Sequence, residues 1–581
     1  MPMSTIKIVF GTETGNSESL AKITGKRLQS HGYKVGIVDL DDFSVDELTS
    51  TNILLVITST FGEGEPPSNA EIFYEDLMDG DAPKLNHLSF SVCALGDTDY
   101  EFFCQCGKEI DERLAALGAH RFAPRVDCDA DYMEYEDWWH NVKASISRIA
   151  PQTPASTSVP SKPSAINSQP AKQSLLRSSI PVPPSVTPIR QVIDSTVKTD
   201  LKALNQGQRS GTKLGTKKRP LFAEIIENYN LNHAESAKET RHITLSLEGS
   251  EVDYQVGDAL GIYPRNDSDL INEILHYSGL NRDERVLYDD RYLNLFYLLK
   301  YRLDLNKIDN RLVSLIPSFA LTPQFQAIFN DRRALKVFIE EHHVVDLFRS
   351  VTFQPTAEQL INSLRPLSPR LYSISSSPLA HPGKVQLTVD VLQYEIHESL
   401  RKGVASNFLA EAEIGSHVGV YIHPTKDFKL CAPDRPIIMI GPGTGIAPFK
   451  AMLEEREITQ APGQSWLFFG AQKSQYDFLY RDQLEGWVQS GLLSQLNCAW
   501  SRDQGHKVYV QDLMYQHGLG IWKWLEAGAY IYICGDAKRM AKDVNNTLLK
   551  IITEQGQMSP PQAENYVRQL KSQKRYLRDV Y

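Results

Sequence analysis

From Pro151 to Lys217 the chain carries no aromatic residue and fills with Pro, Ser, Thr, Gln and Lys, as in PQTPASTSVPSKPSAINSQPAKQS. Such a stretch cannot bury enough apolar surface to offset the entropy lost on ordering. It is therefore read as a linker, and whatever folds must fold on either side of it. As a flexible chain of about 66 residues it would span about 45 Å root-mean-square, enough for one domain to swing between two docking positions. With 581 residues, 41% of them hydrophobic, three or four cores are expected rather than one. The divisions read are 1–150, the linker 151–217, then 218–433 and 434–581.

Residues 1–150 alternate short apolar strands (Lys7 to Phe10, Val35 to Val38, Ile53 to Ser59, Ser89 to Leu95) with helix-like stretches. That alternation predicts a parallel, doubly wound α/β sheet covered on both faces. Residues 220–265 and 367–430 are rich in β-branched runs and Gly/Pro turns, while 268–365 is Leu-rich, which predicts a β-barrel interrupted by a helical insert. From Pro436 the strand and helix alternation returns, at Ile437 to Ile440, Ser465 to Phe469, Leu496 to Ala499 and Tyr530 to Ile533, predicting a second parallel, Rossmann-like sheet.

Charge is uneven. Residues 1–150 hold 12 Lys and Arg against 26 Asp and Glu, a net −14, and the remainder holds 49 against 45, a net +4. An acidic first domain is either simply a solvated surface or one steered toward a basic partner; nucleic acid is a poor fit. The seven cysteines include no CxxC pair, which argues against a disulfide framework, a zinc site or an iron–sulfur cluster, so no metal site is expected. With no run of about 18 uncharged apolar residues and no charged-then-apolar leader, no membrane association and a cytoplasmic location are expected.

The first strand runs into GTETGNSES. There the hydroxyls of Thr12, Thr14 and Ser17 and the N–H groups around Gly15 and Asn16 are placed to converge at a helix N-terminus, a phosphate cradle. An ordinary capped turn reads the same way, and two later loops decide between them. STFGEGEPP and ALGDTDYEFFCQCGK, each following a strand, place Phe61 and Tyr100 where rings can sandwich a flat heterocycle. Cys104 and Cys106 alternate as in a strand or turn and are read as packing or pocket-lining residues. In the barrel-like part, RLYSISSSP offers Arg370 for a pyrophosphate, Tyr372 for a ring face and Ser373 near its reactive edge. LTVDVLQY and GVASNFL add a strand partner and a small-residue turn before a helix. After the strand at Ile437, GPGTGIAPF brings a glycine-rich turn with the Thr444 hydroxyl. WSRDQGHKVYVQ then presents Ser501, Arg502, Lys507, Tyr509 and Gln511, cations and polar groups suited to a ribose 2'-phosphate and hence to NADPH over NADH.

These motifs, in this order, resemble the diflavin reductases: a flavodoxin-like FMN domain over residues 4–148, then the FAD module of the ferredoxin-NADP reductases with the helical insert of the diflavin branch. YEFFCQCGKEID, RPLSPRLYSISSSP, AWSRDQ, KVYVQD, RMAKDV and the terminal RYLRDVY are most similar to the flavoprotein subunits of assimilatory NADPH-sulfite reductases. The resemblance implies three cofactors, FMN, FAD and NADPH. For FMN it implies Thr12, Glu13, Thr14, Gly15, Asn16 and Ser17 on the phosphate, with Ser59, Thr60, Phe61, Gly62, Leu95, Gly96, Asp97, Tyr100, Phe102, Phe103 and Cys104 around the ring. For FAD it implies Arg370, Leu371, Tyr372, Ser373, Thr388, Val389, Asp390, Tyr394, Gly403, Val404, Ala405 and Ser406, with the Tyr581 ring covering the flavin until nicotinamide displaces it. For NADPH it implies Arg241, Thr444, Ser501, Arg502, Lys507, Val508, Tyr509, Val510, Gln511 and Asp543. Ser373, Cys534 and Asp579 would orient hydride transfer. The implied partner is a sirohaem and iron–sulfur hemoprotein subunit or another haem acceptor; a reductase for a haem monooxygenase and a redox-inactive assembly subunit are the alternatives. Microsomal relatives begin with a membrane anchor and usually carry Trp beside the last residue, features this sequence lacks. Bacterial sulfite reductase flavoproteins commonly place an oligomerisation segment ahead of the FMN domain, whereas this sequence opens at its first strand, so the resemblance does not fix the oligomeric state.

Overall fold

The computed structural model describes residues 5–12, 15–61, 64–80, 82–96, 102–129, 132, 134–149, 214–217, 219–289, 291–396 and 399–581. Residues 151–213 of the linker, and Glu13, Thr14, Gly62, Asp97 and Tyr100 among the expected FMN residues, lie outside the described residues.

In the first domain β1 (Ile6–Gly11), β2 (Val35–Asp39), β3 (Ile53–Ser59), β4 (Ser89–Leu95) and β5 (His120–Arg121) form a parallel sheet in the order β2-β1-β3-β4-β5, with β6 (Val126–Cys128) also on β4. Alternate residues feed opposite cores. Ile6, Ile8, Phe10, Leu55 and Ile57 pack with Leu28 of α1 (Asn16–Ser30) and Trp138 and Val142 of α4 (Tyr135–Ile146). Val9, Leu54, Val56 and Val92 pack with Phe73 and Leu77 of α2 (Glu71–Met78) and Ile110 and Leu114 of α3 (Gln105–Ala116). A sheet buried on both faces explains why β3 reads as an unbroken apolar run. The strand order reverses beside β1, so the loops after β1, β3 and β4 meet at one edge, where doubly wound sheets bind ligands.

The second unit is antiparallel: β7 (Leu221–Asn230), β8 (Thr240–Ser246), β9 (Ala259–Tyr263), β12 (Arg370–Ser373), β13 (Lys384–Asp390) and β16 (His417–His423) run in the order β12-β9-β16-β7-β8-β13. A bridge between Ile374 and Leu387 brings the two ends together and closes the barrel. Between β9 and β12 stands the insert. It is helical from Ser268 to Ser363 except for a hairpin, β10 (Arg285–Tyr288) and β11 (Arg291–Asn294), that the Leu-rich reading did not anticipate. The insert has its own core, built on Leu295, Leu298, Leu347 and Leu360. A smaller hairpin, β14 (Gln393–Ile396) and β15 (Ser399–Lys402), precedes the helix Val404–Ala410.

The last unit is a parallel sheet in the order β19-β18-β17-β20-β21: β17 (Ile437–Pro442), β18 (Ser465–Ala471), β19 (Gln495–Trp500), β20 (Tyr530–Gly535) and β21 (Tyr576–Val580). It is bolted to the barrel by Lys450, 4% exposed, which donates to Ser375 O, the Gln386 amide oxygen and Glu454. Glu454 also accepts from Ser377 N and His381, and its carboxyl is held at about 2 by these donors against the cost of burial. Among the described residues no helix is long and apolar enough to cross a membrane.

Candidate functional site

At the edge of the first sheet three loops are tied to one another. Thr60 N donates to Leu95 O at 3.0 Å and the Thr60 hydroxyl accepts from Cys106 N at 3.2 Å. The Ser59 hydroxyl reaches Gly11 O at 3.5 Å, and Gly96 N donates to Cys128 O at 3.0 Å. Phe61 closes a tight bridge with Glu65, the exposed Phe102 lies against Gly64 within that turn, and the half-buried Phe103 lies against Gly96. Cys104 takes a left-handed conformation (φ 55°) in the turn before α3, as the turn reading allows, and Cys106 lies inside the helix, which neither the strand nor the turn reading gave. Both thiols are buried, and burial pushes Cys106 up to about 12. Gly15 (φ 78°) precedes α1. The Ser17 hydroxyl is buried, and neither it nor that of Thr12 has a hydrogen-bond partner among the described residues. Two unsatisfied buried hydroxyls are costly. At a fifteen-residue helix N-terminus they are what a phosphate would satisfy.

Against the barrel lies a cleft of about 860 Å³, lined by Arg370, Leu371, Tyr372, Asp390, Leu392, Tyr394, Gly403, Val404, Ala405 and Ser406. The insert completes it with Asp304, Asn306, Lys307 and His343. Thr388 and Val389 do not line it: the Thr388 hydroxyl pairs with Tyr480 at 2.7 Å and Val389 belongs to the barrel core. The cleft accommodates an extended, partly apolar ligand with an anionic section facing Arg370. Tyr394 is held by His343, whose Nε2 is 2.8 Å from the phenol oxygen.

Where barrel and last sheet meet, three distant residues converge. Cys534 and Asp579 are in register on β20 and β21, and the Ser373 hydroxyl and the Cys534 thiol (3.7 Å) both donate to the same Asp579 oxygen. Burial raises the Asp579 carboxyl, opposed by those two donors, and burial beside Asp579 drives the Cys534 thiol well up, so it stays protonated. Tyr581 extends from β21 with its backbone N on Gly535 O and its phenol 2.7 Å from the Thr444 hydroxyl, the residue as a whole being 60% exposed. The loop after β17 needs glycine: a Cβ on Gly445 would lie 2.2 Å from Cys534 O.

The loop after β19 hangs from β18 through Ser501 N to Ala471 O and Arg502 N to Gln472 O. Arg502 and Lys507 are exposed, with no acidic partner among the described residues. Tyr509 caps the next helix, Val508 and Val510 pack inward, and Gln511 reaches Asp543 at 3.3 Å. Arg241, on β8, points instead to Ala410 O and Glu239 on the barrel.

Three family models cover this arrangement in turn: a flavodoxin model over residues 8–139, an FAD binding domain over 215–408 and an oxidoreductase NAD-binding domain over 439–546. The chain is 38% identical over 586 residues to the sulfite reductase [NADPH] flavoprotein alpha-component of Bacillus subtilis (strain 168), covering 99% of this chain and 89% of that protein. It is 37% identical to the protein of that name from Shewanella sp. (strain ANA-3), covering 99% and 90%, and 36% identical to that of Cronobacter sakazakii (strain ATCC BAA-894), covering 100% and 90%. The chain belongs to the sulfite reductase [NADPH] flavoprotein alpha-component family. Members of this family are NADPH-dependent diflavin oxidoreductases, with FMN, FAD and NADPH as cofactors.

Within that family frame, the unsatisfied hydroxyls at α1 fit FMN phosphate, the barrel cleft fits FAD, and the unpaired cations after β19 fit a 2'-phosphate. Motif reading missed the insert residues at the cleft, since Asp304, Asn306 and His343 carry no local signature. It also missed Lys450, whose role depends on a barrel some 64 residues earlier in sequence.

Proposed function

We propose that the chain passes electrons from NADPH through FAD and FMN to a haem-type acceptor, the sirohaem and iron–sulfur hemoprotein subunit of sulfite reductase, in the reduction of sulfite to sulfide. The observation that carries this reading is the Ser373–Cys534–Asp579 cluster at the junction of the FAD and NAD-binding units, in a chain of this family. Nicotinamide gives two electrons as hydride while haem takes one at a time, and a bound flavin pair supplies the conversion. Arg370 would neutralise a pyrophosphate, Tyr372 would offer a ring face to the flavin, and Arg502 and Lys507 would take the 2'-phosphate. Asp579 fixes the Ser373 O–H and Cys534 S–H as neutral groups, which would set orientation and polarity for hydride transfer before the substrate arrives. The Tyr581 ring, whose phenol meets the Thr444 hydroxyl, would be the group that moves aside for nicotinamide. Thr12 and Ser17 hold the FMN phosphate. The seven free thiols suit a reducing cytoplasm.

The test reduces the flavin-loaded protein anaerobically with NADPH, mixes it with a competent sirohaem sulfite reductase protein and follows sulfide. Sustained NADPH-dependent sulfide formation is expected. Rapid flavin reduction without sulfide would reject the sulfite assignment and move the search to another one-electron acceptor, such as a haem monooxygenase. Absence of flavin reduction would reject the reductase reading.

A further inference from the structure

The chain segment between Phe61 and α2 buries an asparagine that no motif singled out. Asn69 is 5% exposed, and both ends of its amide are used across the fold. Its Oδ1 accepts from Thr12 N at 2.7 Å, in the phosphate loop, and its Nδ2 donates to Asp39 Oδ1 at 2.6 Å, at the end of β2. Asp39 is itself shared: it caps the turn Leu40–Asp42, and its second oxygen takes the ammonium of Lys426, in the segment after barrel strand β16. The same ammonium stands 5.5 Å over the ring of Phe10, the residue before Gly11. One turn on, Lys574 bridges Asp41 of the first domain at 3.1 Å and Asp427 at 2.7 Å. A continuous line of polar contacts thus runs from a cation on the barrel side, through Asp39 and Asn69, to the backbone of Thr12.

We propose that Asn69 is a positioning residue for the FMN phosphate loop, and that the Lys426–Asp39 contact couples its hold to docking of the first domain on the barrel. An amide is suited to this place because it accepts from a backbone N–H and donates to a carboxylate at once. When the domain swings away, Asp39 loses Lys426, is solvated, and fixes the Asn69 amide less firmly, so Thr12 N loses part of its partner's order. Coupling of this kind is reciprocal: if docking tightens FMN, FMN tightens docking by the same factor. The inference rests on the reading that Thr12 to Ser17 hold the phosphate.

The experiment measures FMN dissociation constants by flavin fluorescence on full-length protein stripped of FMN and retaining FAD. The variants are Asn69→Ala, Asn69→Asp, Lys426→Ala, the double variant Asn69→Ala/Lys426→Ala, and Ser17→Ala as reference. Asn69→Ala is expected to weaken FMN about tenfold with FAD content unchanged. Lys426→Ala is expected to weaken it severalfold at low salt, with no further loss in the Asn69→Ala background, an epistasis that general destabilisation would not produce. Asn69→Asp keeps the acceptor for Thr12 N but faces Asp39 with a second carboxylate; it is expected to retain more FMN than Asn69→Ala and to lose more of it when Lys426→Ala removes the neighbouring cation. Wild-type FMN affinity in Asn69→Ala, with Ser17→Ala weakened, overturns the inference and leaves the phosphate-loop reading standing. Wild-type affinity in Ser17→Ala as well overturns that reading too. Lys426 is largely exposed, so its variant will fold even if those at Asn69 do not, and unchanged FMN affinity in it removes the coupling.

Discussion

At the scale of single residues, the junction cluster owes its chemistry to burial. Cys534 is fully buried, and its neighbour Asp579 makes the thiolate still less favourable, so the thiol serves as a neutral donor and not as a nucleophile. Asp579→Ala removes the acceptor that orients both donors. NADPH-driven flavin reduction in stopped flow should slow about a hundredfold, with nucleotide affinity little changed; a rate within twofold of wild type would remove Asp579 from the mechanism. A second residue reports on pH. His242 of β8 is buried between Tyr480, 3.0 Å away, and Thr244, and burial, aided by Lys450, holds it down at about 4. Its unfolded value is about 6.5, so the unfolded chain binds the proton first. The stabilisation is complete above about pH 6.5 and is lost as pH falls toward 4, about 3 kcal/mol in all. His343 acts in the same direction. Tm measured from pH 7 to 4.5 should fall less steeply in His242→Gln than in wild type; parallel curves would show that the imidazole is not buried neutral.

At the scale of elements, backbone fit decides what the loops tolerate. Gly445 and Gly443 sit two residues apart in one turn yet differ in kind. A methyl at Gly445 meets Cys534 O at 2.2 Å, whereas one at Gly443 meets nothing within 4 Å and is opposed only by its φ of +58°. Gly445→Ala should therefore cost about 1–3 kcal/mol and displace the strand end that carries Cys534, weakening NADPH binding. Gly443→Ala should cost about 1–2 kcal/mol and leave Cys534 in place. Calorimetry together with nucleotide titration separates them, and equal effects on NADPH would refute the distinction. The apolar runs at Ile53–Ser59 and Ser89–Leu95 were legible as strands, because a sheet covered on both faces leaves no alternation to interpret. The hairpin β10–β11 was not, since its four-residue strands are exposed on one side and packed on an insert rich in Leu.

At the scale of the whole molecule, the first domain meets the rest through ion pairs. Glu71 of α2 accepts from Lys571 at 2.7 Å and Arg578 at 2.8 Å; Lys571 also reaches Glu75, and Arg568 lies 3.7 Å from it. These pairs hold the Glu71 carboxyl below its usual range although burial opposes them. Several of the partners are partly exposed, so salt should loosen the contact. Small-angle scattering is expected to show a larger radius of gyration at 0.5 M than at 0.05 M salt (about 4 Å against 14 Å of screening length), and Glu71→Gln should be expanded already at low salt. A radius independent of both salt and that substitution would mean that apolar packing, not charge, holds the domain. The acidity of residues 1–150 was visible from composition, but its use against Lys571 and Arg578 was not. Which acids face a partner depends on the packing of residues some 500 positions apart. By itself the sequence determined the fold class and the strand and helix periodicities that carry it, because strand alternation and glycine-rich turns are local properties of the chain. Only the tertiary structure decided that Ser373 and Cys534 share one oxygen of Asp579, that Asn69 bonds Thr12, and that the insert walls the barrel cleft, because each depends on burial and on contacts between segments that no local pattern encodes.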